Sequence, residues 1–385
     1  MFRIDTISSE STTNSTDSEL IHKICNVVYR MLTVNAFAEI FHDVTLLFPI
    51  KDQDRSTDLN DRIKKIPVTY NISKWKKFFH LLSGKTHRYY KAFQEIITKE
   101  TFDYVVFDNS CVSFGLIDLA HKHKAKVITI HHNYEYEYKR DSSNKLLKPI
   151  ILYWVKKYEK GSLQKSDLNL TLTKQDKLLF QENYHLPGDN IKVLGCFEYK
   201  DKNYDYTNDS KPCSFVITGN LSAKQTEDSL IPWLKEYYPI LQNTLLSHQL
   251  TIAGKKPGTE IKRLCKHLKI ELIDTPPNMD VILNHARYYI CPTALGGGIK
   301  LRIMDGLSHG LPVLTHKVSA RGYDAFKDKF VFEYDNTENF LKALKQMISN
   351  KYKSNNLLHE YKNIFSFKAG CNRLKKIIEY ESQVI

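Results

Sequence analysis

The sequence has no long hydrophobic run, although 42% of its 385 residues are hydrophobic. A helix that crosses a bilayer needs about 20 consecutive, mostly apolar residues, and no such stretch occurs. The first residues also lack the basic segment followed by an apolar stretch that marks a secretory signal. These absences predict a cytoplasmic protein, with enough apolar side chains to fill two domains of ordinary size.

Cysteine pairs at the spacing of zinc or redox sites are also absent. C-x-x-C pairs supply ligands to many structural zinc sites and form many redox centres, but the seven cysteines of this chain are far apart. We therefore expect reduced, mostly structural thiols at Cys25, Cys111, Cys196, Cys213, Cys265, Cys291 and Cys371.

Acidic side chains are the minority among the charged residues. The chain has 43 Asp and Glu against 56 Lys and Arg, which gives a formal net charge of +13. This excess predicts attraction to an anionic partner, whether nucleic acid, a phosphorylated ligand or a membrane surface. No helix-turn-helix, zinc-finger or RNP-like pattern occurs, so nucleic acid is not expected to be the partner.

Strand and helix patterns alternate in the N-terminal half. Residues 1–8 are predicted as a strand, residues 18–41 as a helix and residues 44–48 as the next strand, with a glycine-free polar loop at 9–17. A strand at 104–107, a helix to residue 123 and a strand at 126–130 follow later in the chain. Strand, helix and strand in succession are typical of a parallel sheet.

The same alternation begins again at residue 214. Helices are predicted at 227–243, at 260–268 and from residue 280, between strands at 214–218, 249–253, 271–273, 288–292 and 312–315. Two α/β units in series, each a doubly wound Rossmann-like sheet, fit this order. We predict an N-terminal domain at 1–197, a polar linker at 198–212, a C-terminal domain at 213–364, and a last helix at 365–385 that crosses back to the N-terminal domain.

Three consecutive glycines, Gly296, Gly297 and Gly298, lie between a predicted strand and a predicted helix. Glycine lets the backbone approach a ligand closely, and the first N–H groups of a helix attract anions. Lys300 and Arg302 are predicted in the first helical turn, where a cation opposes the helix dipole unless an anion is bound. No Asp or Glu occurs between positions 281 and 304. The pattern favours a diphosphate site.

Asp305 follows this segment, about one and a half helical turns after Lys300. A carboxylate in such a position can accept hydrogen bonds from the two hydroxyls of a ribose. The alternative interpretation is a glycine-rich turn with solvated basic side chains and a capping Asp305. The helix is predicted to pack on the sheet through Ile299, Ile303, Gly306, Leu307 and Gly310, which have helical spacing.

The segment 296–315, GGGIKLRIMDGLSHGLPVLT, resembles the nucleotide-sugar site of the retaining GT-B enzymes of glycosyltransferase family four. The resemblance extends to the segments 216–222, 250–255 and 280–292, in the family's order and approximate spacing. It covers most of residues 214–325 and is looser in the N-terminal half. It implies a GT-B fold, in which two Rossmann-like doubly wound domains face each other across a cleft.

The resemblance also implies a nucleoside-diphosphate sugar as co-substrate, without a separate cofactor. The loop at 296–300 is expected to hold the diphosphate, and Asp305 the ribose. Asp305 stands where the family usually has Glu, and Gly297 stands at the first of its paired glutamates. The expected donor-binding residues are Gly219, Asn220, Lys255, Gly296, Gly297, Gly298, Ile299, Lys300 and Asp305, of which Lys300 and Asp305 are also expected to act in catalysis.

His132 follows the predicted strand at 126–130, in a segment that resembles the family's strand ending in His-Asn. A histidine at this edge lies where open α/β sheets bind ligands, and it titrates near neutral pH. We therefore predict that His132 contacts the reacting sugar. The alternative is that His131 or His132 only bonds a backbone carbonyl at the strand end.

Asp108, Asn133 and Glu135 also lie at predicted strand ends and are expected on the acceptor side. An N-cap at Asn109 or Ser110 is the structural alternative for the first segment. A solvated helix start is the alternative for Glu135.

Asp52 and Asp54 resemble the D-x-D pair with which GT-A enzymes hold a manganese-bound donor. A polar surface loop is the simpler interpretation, because Asp58 and Asp61 follow closely. The cations of the C-terminal half are expected to neutralise the diphosphate. No metal site is therefore predicted.

Residues 62–91 mix basic with aromatic side chains, and residues 145–157 do the same. This mixture suits an anionic headgroup layer. We predict peripheral contact at the inner face of the cell membrane, where a lipid-linked acceptor would be presented. Amphipathic helices with a basic outer face are the alternative.

These features predict a glycosyltransferase that moves a sugar from a nucleoside-diphosphate sugar to a hydroxyl of a glycan or lipid-linked glycan. The resemblance implies retention of configuration and a place in bacterial-type surface polysaccharide or glycoconjugate synthesis. A sugar-nucleotide epimerase is one alternative, although it needs further acid and base carboxylates. A catalytically silent GT-B partner subunit is the other, favoured by Gly297 and by the glycine-free loop at 9–17.

Overall fold

The structure is a computed structural model of the chain. It describes residues 33–50, 59–69, 73, 75, 79, 89–143, 145–200, 202–204, 213–350 and 352–383, and the backbone of residues 23–28. The chain divides into two compact units, one formed by residues 1–201 with 367–385 and the other by residues 202–366.

The first unit is built on a seven-stranded parallel sheet. Its strands are β1 (Lys23–Val28), β2 (Asp43–Pro49), β3 (Lys64–Val68), β4 (Tyr104–Asp108), β5 (Lys126–His131), β6 (Leu168–Thr171) and β7 (Ile191–Val193). Their order across the sheet is β3-β2-β1-β4-β5-β6-β7. Successive side chains of β4 alternate between two hydrophobic clusters, since Val106 packs in one and Val105 in the other. Both faces of this sheet are therefore buried, as parallel sheets require.

Helices cover the sheet of the first unit. They are α1 (Val34–Ile40), α2 (Tyr90–Ile97), α3 (Phe114–Lys122), α4 (Glu135–Ser142), α5 (Lys148–Lys165) and α6 (Lys174–Tyr184). None of the helices in the described ranges of the chain is both long and apolar enough to cross a bilayer.

The second unit has a six-stranded sheet whose ladders are all parallel. Its strands are β8 (Ser214–Gly219), β9 (Gln249–Gly254), β10 (Glu271–Asp274), β11 (Tyr288–Cys291), β12 (Val313–His316) and β13 (Val331–Tyr334), in the order β10-β9-β8-β11-β12-β13. Its helices are α7 (Lys224–Glu236), α8 (Tyr238–Thr244), α9 (Thr259–Leu268), α10 (Met279–His285), α11 (Arg302–Ser308), α12 (Thr337–Ser349) and α13 (Ser354–Phe365). The two doubly wound, Rossmann-like sheets confirm the predicted α/β class.

The last helix, α14 (Phe367–Gln383), belongs to the first unit although it follows the second in the chain. Leu374 and Ile378 are buried in the hydrophobic cluster of the first sheet. The Arg373 guanidinium donates a hydrogen bond of 2.9 Å to the carbonyl oxygen of Leu194. The helix is thus held by both apolar packing and a bond to the backbone.

The single helix predicted at 18–41 is wrong, because a strand lies within its span. Strand β1 occupies Lys23–Val28, and helix α1 occupies Val34–Ile40. Apolar residues at helical spacing suggested the longer helix, but Ile24, Val27 and Val28 favour a strand. Pairing with β2 on one side and β4 on the other fixes β1 in the interior of the sheet. The strand predicted at 1–8 and the loop predicted at 9–17 lie outside the described residues.

Two further elements differ from the sequence prediction. Lys64–Val68, inside the segment expected at a membrane, is an edge strand paired with β2, and the Lys64 ammonium forms an ion pair of 2.5 Å with Glu100. The helix predicted at 227–243 is two helices, α7 and α8. Pro239 lies in the first turn of α8, and it has no N–H with which to continue a helix from α7.

Candidate functional site

Three neighbouring strands of the second sheet end side by side. Strand β8 ends at Gly219, β9 at Gly254 and β11 at Cys291, and the strand order places β8 between the other two. After β8 the chain forms β9 on one side of β8. It later returns to form β11 on the other side of β8. Open α/β sheets bind ligands at such a switch point, beyond the carboxyl ends of the strands.

The loops after β8 and β9 touch through their glycines. A Cβ added to Gly254 would lie 1.9 Å from the carbonyl oxygen of Gly219, so no other residue fits there without displacing backbone. The N–H of Lys255 donates to the Gly219 carbonyl at 3.2 Å, and the N–H of Ser222 donates to the Lys255 carbonyl at 3.2 Å. The structure therefore brings together the predicted residues Gly219, Asn220 and Lys255, and the last two are exposed.

The triple-glycine turn requires glycine at two of its positions. Gly296 has φ +80° and Gly298 has φ +71°, in the left-handed region that side chains disfavour. A Cβ on Gly296 would also lie 1.8 Å from Nε2 of Gln225, which donates to the Leu295 carbonyl at 2.7 Å. The backbone thus turns tightly against α7 before it enters α11.

Lys300 precedes α11 instead of lying in its first turn, because the helix begins at Arg302. This corrects the predicted placement. The Lys300 ammonium folds back over the turn and donates to the carbonyl oxygens of Gly296 at 3.2 Å and Gly297 at 3.0 Å. The Tyr323 hydroxyl donates to the Lys300 carbonyl at 2.9 Å, which fixes the backbone at this position.

The sequence identified Arg302 as a cation of the turn but did not include it among the donor-binding residues. Its guanidinium donates to the hydroxyls of Thr293 and Thr226, each at 3.4 Å. It also lies over the end of β8, since a Cβ on Gly219 would be 2.9 Å from Nη1. In the part of the chain that the structure describes, no carboxylate forms an ion pair with Arg302. Its spacing of two residues from Lys300 is the signal that could have identified it.

Asp305 lies in the first turn of α11, and its side chain is exposed at the same edge of the sheet. The opposite face of the helix, which includes Ile303 and Leu307, is buried. Gly306 lets that face approach the sheet, since a Cβ there would be 2.7 Å from the ring of Tyr289. The predicted packing face is therefore present, with Ile299 half-buried at its start.

In the first unit, Asp108 ends β4 and His132 follows the neighbouring strand β5. Nε2 of His132 is hydrogen-bonded to the carboxylate of Asp108, which is fully buried. Asp108 therefore lies beneath His132. The sequence suggested that Asp108 itself lines the acceptor side, but its buried carboxylate does not do so directly. A carboxylate at Nε2 keeps the proton on that nitrogen and orients the ring.

His131 lies inside the sheet. It is fully buried, and its Nε2 is 3.0 Å from Oδ1 of Asn169. Burial lowers the pKa of His131 to about 4, so the ring is neutral at physiological pH. Both histidines thus bond side chains, and the alternative of a bond from either ring to a strand-end carbonyl is wrong.

The loops after β4 and β5 are tied to each other. The Ser110 hydroxyl donates to the carbonyl of Asn133 at 3.3 Å, and Asn109 accepts a bond from the N–H of Cys111 at 3.1 Å. Neither residue caps α3, which begins at Phe114, so the N-cap alternative is wrong. Asn133 is half-buried.

Glu135 starts α4, and its carboxylate pairs with Lys139 one turn later at 3.3 Å. Sequence reasoning missed two buried carboxylates beneath this helix start, Glu159 on α5 and Asp176 on α6. Burial, together with the nearby Glu135, raises the pKa of Glu159 to about 8, against the opposing effect of its hydrogen bonds. No sequence pattern pairs either residue with the loop after β5.

No three metal-ligating side chains converge within the ranges that the structure describes. Asp52 and Asp54, the pair that resembles a D-x-D motif, lie outside those ranges.

Both halves of the chain match family models. Residues 28–197 match Glycosyltransferase Family 4, and residues 212–350 match Glycosyl transferases group 1. No curated protein sequence matches the chain significantly.

Several solved structures have the same fold over nearly the whole chain. A glycosyltransferase from Rickettsia africae has a TM-score of 0.66 at 14% identity, over 94% of this chain and 98% of its own. The lipopolysaccharide outer core galactosyltransferase WaaB has a TM-score of 0.63 at 13% identity, over 93% and 99%. Anabaena Alr3699/HepE in complex with UDP has a TM-score of 0.63 at 10% identity, over 93% and 100%. These likenesses identify the fold as GT-B.

Proposed function

We propose that this chain, which belongs to the GT-B glycosyltransferases, binds a nucleoside-diphosphate sugar with its second unit. Its first unit receives the acceptor. The observation that carries this proposal is the triple-glycine turn at the ends of β8 and β11, with Lys300 and Arg302 beside it. Two cations at a tight backbone turn suit a diphosphate, because phosphate oxygens accept strong charge-assisted hydrogen bonds.

Lys300 and Arg302 would act differently on the diphosphate. The Lys300 ammonium lies on the carbonyl oxygens of Gly296 and Gly297, at the turn where the diphosphate would bind. The Arg302 guanidinium is held by two threonine hydroxyls and is already fixed in place. As the bond to the sugar breaks, negative charge grows on the leaving diphosphate, and fixed positive charge there lowers the barrier. Asp305 would accept the ribose hydroxyls.

The acceptor belongs, in this proposal, to the edge of the first sheet. His132 is oriented by Asp108 and would contact the reacting sugar, with Asn133 and Glu135 beside it. The acceptor is a hydroxyl of a glycan or lipid-linked glycan of a bacterial-type surface polysaccharide or glycoconjugate, and transfer retains the anomeric configuration. The similar fold of a lipopolysaccharide galactosyltransferase supports this acceptor class.

We further propose that transfer needs neither a metal nor a separate cofactor. Lys300 and Arg302 supply two positive charges at the turn, which is the charge that a divalent cation would otherwise bring to a diphosphate. The nucleotide sugar is then the co-substrate.

Peripheral membrane contact of a cytoplasmic protein remains part of the proposal. The first turns of α5 and the residues before them present Leu146, 88% exposed, and Tyr153, 61% exposed, beside basic residues. Trp75 and Phe79 are also exposed. Apolar side chains beside lysines suit an anionic interface. Flotation with anionic vesicles should be lost on Leu146→Asp with Tyr153→Asp, and equal flotation of the variant would remove this contact.

A two-step experiment tests the function. A thermal-shift screen of nucleotide sugars identifies the donor, because a bound ligand stabilises the folded state by mass action. The purified protein is then incubated with that donor, with and without glycan acceptors. Formation of a new glycosidic bond supports the proposal. An isomerised nucleotide sugar would indicate an epimerase, and binding without turnover over the acceptor panel would indicate a silent partner subunit.

A further inference from the structure

Two buried acidic side chains hold the segment after β5. Their oxygens accept hydrogen bonds from three consecutive backbone N–H groups. Oδ1 of Asp176 accepts from the N–H of Tyr134 at 3.1 Å. Glu159 accepts from the next two, through Oε1 from Glu135 at 2.7 Å and through Oε2 from Tyr136 at 3.4 Å. Two buried side chains from two different helices therefore fix the backbone at residues 134–136, which begins two residues after His132.

Both carboxylates are fully buried, and each has a further partner. Oδ2 of Asp176 is 2.7 Å from the hydroxyl of Thr173, and Oε2 of Glu159 accepts from the hydroxyl of Tyr184 at 2.6 Å. Burying a carboxyl group, charged or protonated, costs free energy that its hydrogen bonds must offset, and an apolar side chain of similar volume avoids that cost. Stability alone therefore does not explain why two carboxylates lie here.

Helix α5 holds the neighbouring loop through the same face. The Ser162 hydroxyl, three residues after Glu159, donates to the carbonyl of Ser110 at 2.6 Å. Ser110 follows β4 and donates in turn to the carbonyl of Asn133. One turn of α5 thus sets the loop after β4 against the loop after β5.

We propose that Glu159, with Asp176 and Ser162, is a positioning residue that fixes the segment 132–135 in the geometry needed to bind the acceptor. The inference rests on the proposed function for its catalytic consequence. Glu159 does not touch substrate in this account. It acts through the backbone that carries His132, Asn133 and Glu135.

The test replaces both side chains of the buried Glu159–Tyr184 hydrogen bond by apolar ones. Glu159→Leu combined with Tyr184→Phe removes both partners of this bond, so that the loss of the acceptor for the N–H groups of Glu135 and Tyr136 is the effect that is tested. Tyr184→Phe alone is the matched control, because it removes the hydroxyl and keeps both bonds from Glu159 to the backbone. Glu159→Gln is the conservative variant, because its single amide oxygen can still accept from the N–H of Glu135, the shorter of the two backbone bonds.

In transfer assays we expect the double variant to raise the KM for the acceptor or lower kcat at least 10-fold, with the donor KM within twofold of the wild type. Tyr184→Phe should stay within threefold, and Glu159→Gln should recover most of the loss. Equal transfer by the double variant and the wild type would overturn the proposal. A loss of transfer activity in Tyr184→Phe as large as that in the double variant would also overturn it.

Amide hydrogen exchange gives a second measurement that does not depend on activity. The amides of Glu135 and Tyr136 should exchange at least 10-fold faster in the double variant, while protection of strands β4 and β5 is unchanged. Exchange unaltered at both amides would overturn the positioning role. If the wild type transfers no sugar, the proposed function fails, but the exchange result still decides whether Glu159 holds this segment.

Discussion

The side chain of His132 is hydrogen-bonded through Nε2 to the carboxylate of Asp108, and the two residues follow neighbouring strands of the first sheet. Asp108 has no exposed surface, so its effect on a ligand must pass through the histidine ring.

Asp108→Asn is therefore expected to impair transfer without affecting the donor. An amide can donate to Nε2, which would stabilise the other tautomer of His132. We expect the transfer rate to fall roughly 10-fold or more, the scale of a misplaced proton-handling group. Transfer kinetics at saturating donor, together with calorimetric donor affinity, check this, and an unchanged rate would contradict it.

Gly254→Ala should damage the donor site by steric displacement. The added Cβ would lie 1.9 Å from the Gly219 carbonyl oxygen, which is backbone and cannot rotate away. We expect a lower melting temperature and at least 10-fold weaker nucleotide binding. Gly195→Ala is the control for a loss of stability alone: Gly195 lies in the first unit with φ +75°, and its added Cβ would be 3.5 Å from the nearest atom, so this variant should unfold more easily but keep the wild-type nucleotide affinity. Wild-type nucleotide affinity in Gly254→Ala would refute the close approach.

Asp305→Asn tests the ribose contact. Hydrogen bonds to a charged acceptor are worth about 1.5–3 kcal/mol, so we expect nucleoside-diphosphate affinity to fall roughly 10- to 100-fold. The same nucleotide lacking its 2′-hydroxyl should bind the wild type more weakly. Its affinity should fall less than that of the complete nucleotide when Asp305 is replaced by Asn. This double-mutant cycle isolates the contact. Additive losses would show that Asp305 does not bind the ribose.

The pH dependence of stability should reveal the buried Glu159. Its pKa is raised from 4.5 to about 8 by burial, so the folded state holds a proton that the unfolded state has lost. Stability from this group is complete below the unfolded pKa and is lost as pH rises towards 8. Between about pH 5.5 and 7 stability is expected to fall by about 1.4 kcal/mol per pH unit, and the fall becomes shallower as the pH approaches 8. Urea unfolding should find a flatter slope in Glu159→Gln, and equal slopes would contradict the prediction.

Chelation should leave the reaction unchanged. Because Lys300 and Arg302 supply the charge at the diphosphate site, transfer in excess EDTA should match transfer without it. The check is the initial rate with EDTA and after return of manganese or magnesium. A rate that vanishes with chelator and returns with metal would remove the metal-independent mechanism.

The second unit could be predicted well because most of its strands are short, largely apolar runs, and two of them end in glycine; strand β13 was not predicted. The strands at 214–219 and 249–254 follow this pattern. The first unit was harder. Edge strand β3 has the sequence KKIPV, whose charged residues hide the strand pattern. Residues 23–28 become a strand through pairing with two distant segments, which helical spacing in the sequence could not reveal.

The candidate site was predictable only where its residues are adjacent in sequence. The glycine turn, Lys300 and Asp305 are contiguous, so one motif contained them. Asp108 and His132 were each expected at a strand end, but the bond between them depends on the register of β4 against β5. Glu159 reaches the loop after β5 from 24 residues away along the chain, and nothing in its local sequence distinguishes it from a surface glutamate.

Calorimetric titration with uridine and guanosine diphosphates tests the central claim most directly. The wild type should bind one of them at a single site, and Lys300→Ala combined with Asp305→Ala should weaken that binding at least 100-fold. Lys266→Ala, an exposed lysine of the same unit on α9, should bind as the wild type does. Undiminished affinity in the double variant would contradict the account, and so would binding of neither nucleotide by the wild type.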